Sequence, residues 1–214
     1  MENILQGIET IYYLTAGPIL VYLAYKGLGQ IKVAKENSRI NSKREAFKTA
    51  AEQCTIYADK IVPLAQNFKE ELKANNNSFL ESFKVTFTEK GFNIKLEKEI
   101  KQDDIDQLNK SEHLTHLINS LEGYSVFYIS GVAAEKVGYI TTGQSFVRLV
   151  KELMPFIGPS FKEGHYKNLM LLFFMWHNRL EKEKLELKKK EIEDKLNKQG
   201  KGMDIEPIGM KNKV

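Results

Sequence analysis

TIYYLTAGPILVYLAYKGL, Thr10 to Leu28, decides how the whole chain is read. From Thr10 to Tyr25 it carries no charge, and a Gly17-Pro18 pair interrupts it near the middle. Sixteen residues at about 1.5 Å each give roughly 24 Å of helix. A bilayer core asks for about 30 Å, so the flanks must contribute. Ile4, Leu5 and Ile8 extend the apolar character before Glu9, and Leu28 and Ile31 follow Lys26, whose long stem can snorkel. Tyr12 and Tyr13 near one end and Tyr22 and Tyr25 near the other match interfacial aromatics. A cleaved signal peptide fits less well, because the start carries Glu2 and Glu9 and no small-residue cleavage site follows. A buried helix of a water-soluble core is the remaining alternative. The stretch is therefore expected to be an N-terminal transmembrane helix.

Charge around it gives an orientation. Lys26, Lys32, Lys35, Arg39, Lys43, Arg44 and Lys48 follow, diluted by Glu36 and Glu45, while no Lys or Arg precedes it. Positive charge stays inside, which predicts a single-pass inner-membrane protein with its N-terminus outside and its C-terminal domain in the cytoplasm. Lys32, Lys35, Arg39 and Lys43 recur at helical spacing. They form a candidate membrane-surface site for anionic headgroups, or they only set topology.

The 214 residues have room for one domain and an appendage, and 28% charged with 42% hydrophobic residues is ordinary for a folded domain in water. A net charge of +4 does not point to nucleic acid. The lone Cys54 excludes an internal disulfide and fits a reducing compartment.

Phe47, Ala50, Ala51, Cys54, Tyr57, Ala58, Ile61 and Leu64 repeat at steps of three and four, which predicts an amphipathic helix running to about Leu72 with Pro63 as a bend. KANNNS, Lys73 to Ser78, breaks it. A short helix from Phe79 to Phe83 is expected next. Val85/Phe87 and Phe92/Ile94/Leu96 alternate around Glu89-Lys90-Gly91, a β-hairpin that must lie on the helices. Ser111 and Glu112 start a helix with Leu114, Leu117, Ile118, Leu121, Tyr124 and Tyr128 inside and Gly131 as its stop. After a short helical VAAEKVGYI, Thr141 or Thr142 is expected to cap a further helix that Pro155 and Pro159 end. The last helix opens near Lys162 and passes through NLMLLFFMWH, whose all-round apolar character marks a buried helix. From Arg179 to Lys198 it turns almost wholly charged, with Glu186/Lys190, Glu191/Lys195 and Asp194/Lys198 at i,i+4. A solvated projecting helix is favoured over a coiled-coil arm, with a flexible tail behind it. The expected divisions are 1–30 anchor, 31–180 helical domain, and 181–214 charged helix and tail.

Phosphate-loop, nucleophile-elbow and HExxH motifs do not occur. His113 and His116 share a helix face at a spacing compatible with metal ligands, and with Glu122 they are the only metal candidates. Their bland reading is helix-flank histidines, with Glu122 in an ion pair to Arg148 or Lys151. No catalytic residue and no cofactor is assigned.

AYKGLGQIKVAKENSRINSKREAFKTAAEQCTIYADKIVPL, following one apolar helix, and SLEGYSVFYISGVAAEKVGYITTGQSFVRLVKELMPFIG resemble an uncharacterised bacterial family of single-pass, membrane-anchored helical proteins. The resemblance implies a tethered, mainly α protein and carries no catalytic residue. The expectation is a membrane-anchored, non-enzymatic interaction module, a sensor or adaptor of a bacterial stress or phage response. Its partners are the lipid bilayer and a protein partner or second copy, with no nucleic acid. Two alternatives stay open: a membrane-tethered metal-dependent hydrolase, and a membrane-perturbing effector that oligomerises through Ala16 and Gly17.

Overall fold

The computed structural model describes residues 2–88 and 91–199, with side chains described for Gly7, 18–88 and 91–197. Among the described residues six α-helices and one hairpin follow in chain order: α1 (Glu2–Ile56), α2 (Val62–Ala74), β1 (Phe83–Thr88), β2 (Gly91–Leu96), α3 (Gln102–Lys110), α4 (Glu112–Ile129), α5 (Glu135–Lys162) and α6 (Lys167–Gln199). The mainly α class with a minor hairpin and a long charged last helix is as expected. The transmembrane helix is not. No helix among the described residues is long and apolar enough to cross a membrane. The reason lies in composition. Thr10, Tyr12, Tyr13, Thr15, Gly17, Pro18, Tyr22 and Tyr25 make up half of the uncharged run, and Glu9 and Lys26 bound it. The side chains of Tyr12, Tyr13, Ala16 and Gly17 lie outside the described residues.

The helix predicted to run to Leu72 is divided by a π turn over Tyr57–Ile61, where Val62 N–H reaches back to Tyr57 O. Pro63, in the first turn of α2, supplies the cause. It has no N–H to donate and its ring crowds the carbonyl four residues earlier, so the wider turn relieves both problems. Tyr57 and Ile61 stay buried through it, and Ala65 and Phe68 continue the buried stripe on α2. Asn76 ends α2 in the left-handed region at φ 49°, as the KANNNS breaker requires.

The expected short helix is a 3-10 turn over Phe79–Ser82. In the hairpin Val85 faces Ile94 and Phe87 faces Phe92. Glu89 and Lys90 of the predicted turn lie outside the described residues. The core-facing side rests on α5 and α6: Phe87 meets Phe173 at 5.3 Å, and Phe92 meets Phe174 at 6.4 Å between ring centroids. α4 matches expectation closely. Ser111 caps it by accepting from Leu114 N at 3.3 Å, and all six predicted inner-face residues are buried.

α5 departs from the reading. It runs unbroken through Thr141 and Thr142 and through both prolines. Thr142 does not cap; its hydroxyl bonds Gly138 O at 2.9 Å and the Tyr124 hydroxyl at 2.5 Å. Pro155 and Ile157 are buried against the other elements, so packing compensates for the missing helical hydrogen bonds. α6 is buried on one stripe (Leu169, Met170, Leu172, Phe173 and Trp176), while Leu171 and Met175 are exposed. The apolar run is thus mostly core, with Leu171 and Met175 on the surface.

Candidate functional site

α1 joins the domain only in its last third. Ala46 O accepts from Ala134 N at 2.9 Å, and Ala50 is fully buried. Ahead of that junction residues 18–45 extend as a free helix of about 42 Å. Ile19, Leu20, Val21, Tyr22 and Leu23 are 57%, 66%, 71%, 57% and 56% exposed. Five consecutive residues cover every face of a helix, so this apolar surface goes all the way round. Leu28, Ile31 and Val33 continue it. Lys32, Lys35, Arg39 and Lys43 are all exposed and share one face, as expected. Arg39 is already held by Glu36 at 2.8 Å, which leaves the three lysines as the freer charges of that face.

A second arm leaves the same end of the domain. Glu135 in the first turn of α5 stands one residue from the Ala134 contact to α1 and binds Arg179 of α6 at 3.1 Å. Beyond Leu180 the α6 residues are mostly exposed, Leu185, Ile192 and Leu196 among them, so the charged arm projects into solvent. Its ion pairs are Lys182–Glu186 at 3.9 Å, Lys184–Glu181 at 2.9 Å and Lys189–Glu193 at 3.7 Å. Two run Lys-to-Glu at i,i+4, the reverse of the expected polarity, and contribute little individually. Lys198 lies outside the described side chains.

The base of this arm is built on Trp176. Its ring is fully buried and sits 5.1 Å from Phe146 and 5.6 Å from Tyr128. Arg179 one turn later lies over Tyr139 at 4.3 Å, a cation–π contact that seats the arm on α5.

The metal candidates are not brought together. His113 and His116 lie in the first two turns of α4, half-buried and exposed, and no group of three metal-ligating side chains occurs among the described residues. Glu122 pairs with neither Arg148 nor Lys151. It faces the start of α6, accepting from Leu169 N at 2.7 Å, Asn168 N at 3.3 Å and Asn168 Nδ2 at 2.8 Å. A carboxylate at a helix N-terminus satisfies orphan N–H groups and the dipole together. Arg148 instead binds Glu152. Cys54 Sγ lies 3.8 Å from the Tyr128 hydroxyl, whose pKa burial pushes up, as it does for Tyr124. These phenols form core, as their spacing suggests. No protein-family model, no curated protein and no solved structure matches the chain.

Proposed function

We propose that the protein is a non-enzymatic interaction module, an adaptor or sensor that engages its partner through the α1 arm. The all-round apolar exposure of Ile19–Leu23 carries this reading. A helix that is apolar on every face is stable in water only when something covers it. Burying five such side chains at about 1.5–3 kcal/mol each contributes on the order of 10 kcal/mol before association costs. Helices of a protein partner, or of a second copy, supply cover of the right shape.

The basic face favours a second reading. Lys32, Lys35 and Lys43 stand exposed directly behind the apolar segment. An anionic lipid surface complements that order, with the helix lying along the headgroups rather than across the bilayer. On this reading the protein sits peripherally on the cytoplasmic face of the inner membrane.

One pair of full-length variants separates the readings. Leu20→Lys/Leu23→Lys abolishes self-association in sedimentation velocity, or crosslinking to a protein partner, if helices cover the arm. Lys32→Glu/Lys35→Glu abolishes flotation with anionic vesicles, and salt does the same, if lipid does. A wild-type chain that is monomeric, crosslinks to nothing and leaves vesicles untouched refutes both.

A further inference from the structure

A cleft of about 750 Å³ opens between the second half of α2, the start of β1 and the middle of α5. Its apolar lining is Leu72, Leu80, Phe83, Val85 and Pro155. Its charged lining is Lys69, Lys73 and Lys151 against Glu81 and Glu152. The volume suits a small organic ligand, and a largely carbon wall with a few charged groups is the usual composition of such a site.

The charges show which kind of ligand. Glu152 is engaged twice, by Lys69 at 2.5 Å and by Arg148 at 3.2 Å. Lys151 is left wanting. Its ion-pair partner, Glu181, stands 3.8 Å away, beyond hydrogen-bond distance, and is drawn to Lys184 at 2.9 Å. The Lys151 side chain is only 33% exposed, and its ammonium lies 5.2 Å from the centre of the Phe87 ring. Burial holds its pKa below the ordinary lysine value, against the pull of Glu181. A part-desolvated ammonium with three donors, held by one carboxylate at 3.8 Å, keeps donors open to a further acceptor. Lys73, exposed in the last turn of α2, adds a second positive charge to the same cleft.

We propose that this cleft binds a small amphipathic anion, its carboxylate or phosphate head on Lys151 and its apolar body, roughly eight carbons long, on the Leu72–Phe83–Pro155 wall. The site is separate from the α1 arm and stands whether or not the arm docks a partner.

Calorimetric titration of the full-length protein with octanoate, octyl phosphate, octanol and octylammonium tests it. Both anions are expected to bind at least about tenfold more tightly than octanol or the cation, the worth of a charge-assisted hydrogen bond. Lys151→Met lowers anion affinity by about tenfold, leaves octanol unchanged and keeps the wild-type melting profile. Lys73→Met, at an exposed position, lowers anion affinity more modestly and covers the case in which Lys151→Met fails to fold. Leu20→Lys/Leu23→Lys leaves anion affinity unaltered. Equal binding of octanoate and octanol overturns the proposal. So does undiminished anion binding in both lysine variants, or loss of binding in the α1 variant, which would place the ligand on the arm.

Discussion

The indole N–H of Trp176 donates to Glu135 Oε1 at 2.6 Å, tying the centre of the core to the first turn of α5. The same carboxylate binds Arg179, one turn further along α6. A negative side chain in a first turn also suits the α5 dipole. Three functions thus meet in one residue, and the truncation cost follows from what is stranded. Glu135→Ala leaves the indole N–H without its acceptor and is expected to destabilise the fold by about 2–3 kcal/mol. Glu135→Gln keeps an acceptor for Trp176 and loses only the charge, costing about 1 kcal/mol. Urea unfolding of the two variants checks the order. Equal costs would mean that Arg179, not Trp176, is the partner that matters.

Glu122 makes a second long-range tie, to Asn168 and Leu169 at the start of α6. Removing a carboxylate cap costs about 1–2 kcal/mol, so Glu122→Ala should lower stability by that amount. The effect is local as well as global: the Leu169 amide should exchange faster relative to Phe173. A double cycle with Asn168→Ala should show coupling, and simple additivity would disprove the direct contact.

These two ties also mark the limit of what the sequence makes legible. α4 could be read because its start, its inner stripe and its stop are all local signals within twenty residues. The Val85–Ile94 register could be read because alternation and a turn fix it. Glu122 and Glu135 find partners 46 and 41 residues away, and no local pattern names those partners. A cap expected at Thr141 or Thr142 does not form, although a threonine before an apolar stripe has that pattern; α5 runs on through Thr142. Its hydroxyl is instead spent on Tyr124, a contact that exists only in the packed bundle. α3 is short and polar, and its start is marked locally by Asp103 and Asp104. Thr10–Tyr25 is free of charge without being strongly apolar, because tyrosine, threonine and glycine make up much of it. Of the candidate sites, the basic face of α1 was legible as helical spacing. The cleft around Lys151 was not, since α2, β1 and α5 meet there from distant parts of the chain.

His177 should make stability depend on pH. It is 7% exposed, stacked on Phe173 at 5.4 Å and edge-on to Phe87 at 5.1 Å. Its Nδ1 has no hydrogen-bond partner, and Glu181 lies 3.8 Å away. Lys151 and Lys184 are the cations that face it. Burial first, then the Lys151 charge, holds its pKa below the ordinary value of 6.5, while Glu181 opposes the shift. The folded state therefore binds a proton less readily than the unfolded chain. Stability from this group is complete above about pH 6.5 and is lost as pH falls towards the folded pKa. Glu181, itself held below the usual carboxylate range chiefly by Lys184, stays ionised through that window. Urea midpoints for wild type should fall between about pH 7 and pH 5 more steeply than for His177→Phe. Parallel slopes would show that another group carries the dependence.

Gly158 sets how closely the hairpin approaches α5. A Cβ there would lie 2.5 Å from Ile94 Cδ1 and 2.8 Å from Phe92 Cε2. Two opposed effects decide the outcome of Gly158→Ala. Alanine is better than glycine inside a helix by about 1 kcal/mol. Overpacking a buried contact costs about 1–3 kcal/mol, and a two-stranded hairpin has little stability of its own to resist displacement. The contact cost should prevail, giving a net loss of about 1 kcal/mol and faster amide exchange across β1 and β2 while α4 stays protected. Shortening the neighbour reverses the sign. With Ile94 and Phe92 both cut to alanine the close contacts disappear, so adding Gly158→Ala should leave only the helix-propensity gain and stabilise that background. Destabilisation of the same size in both backgrounds would mean that the hairpin does not seat on Gly158.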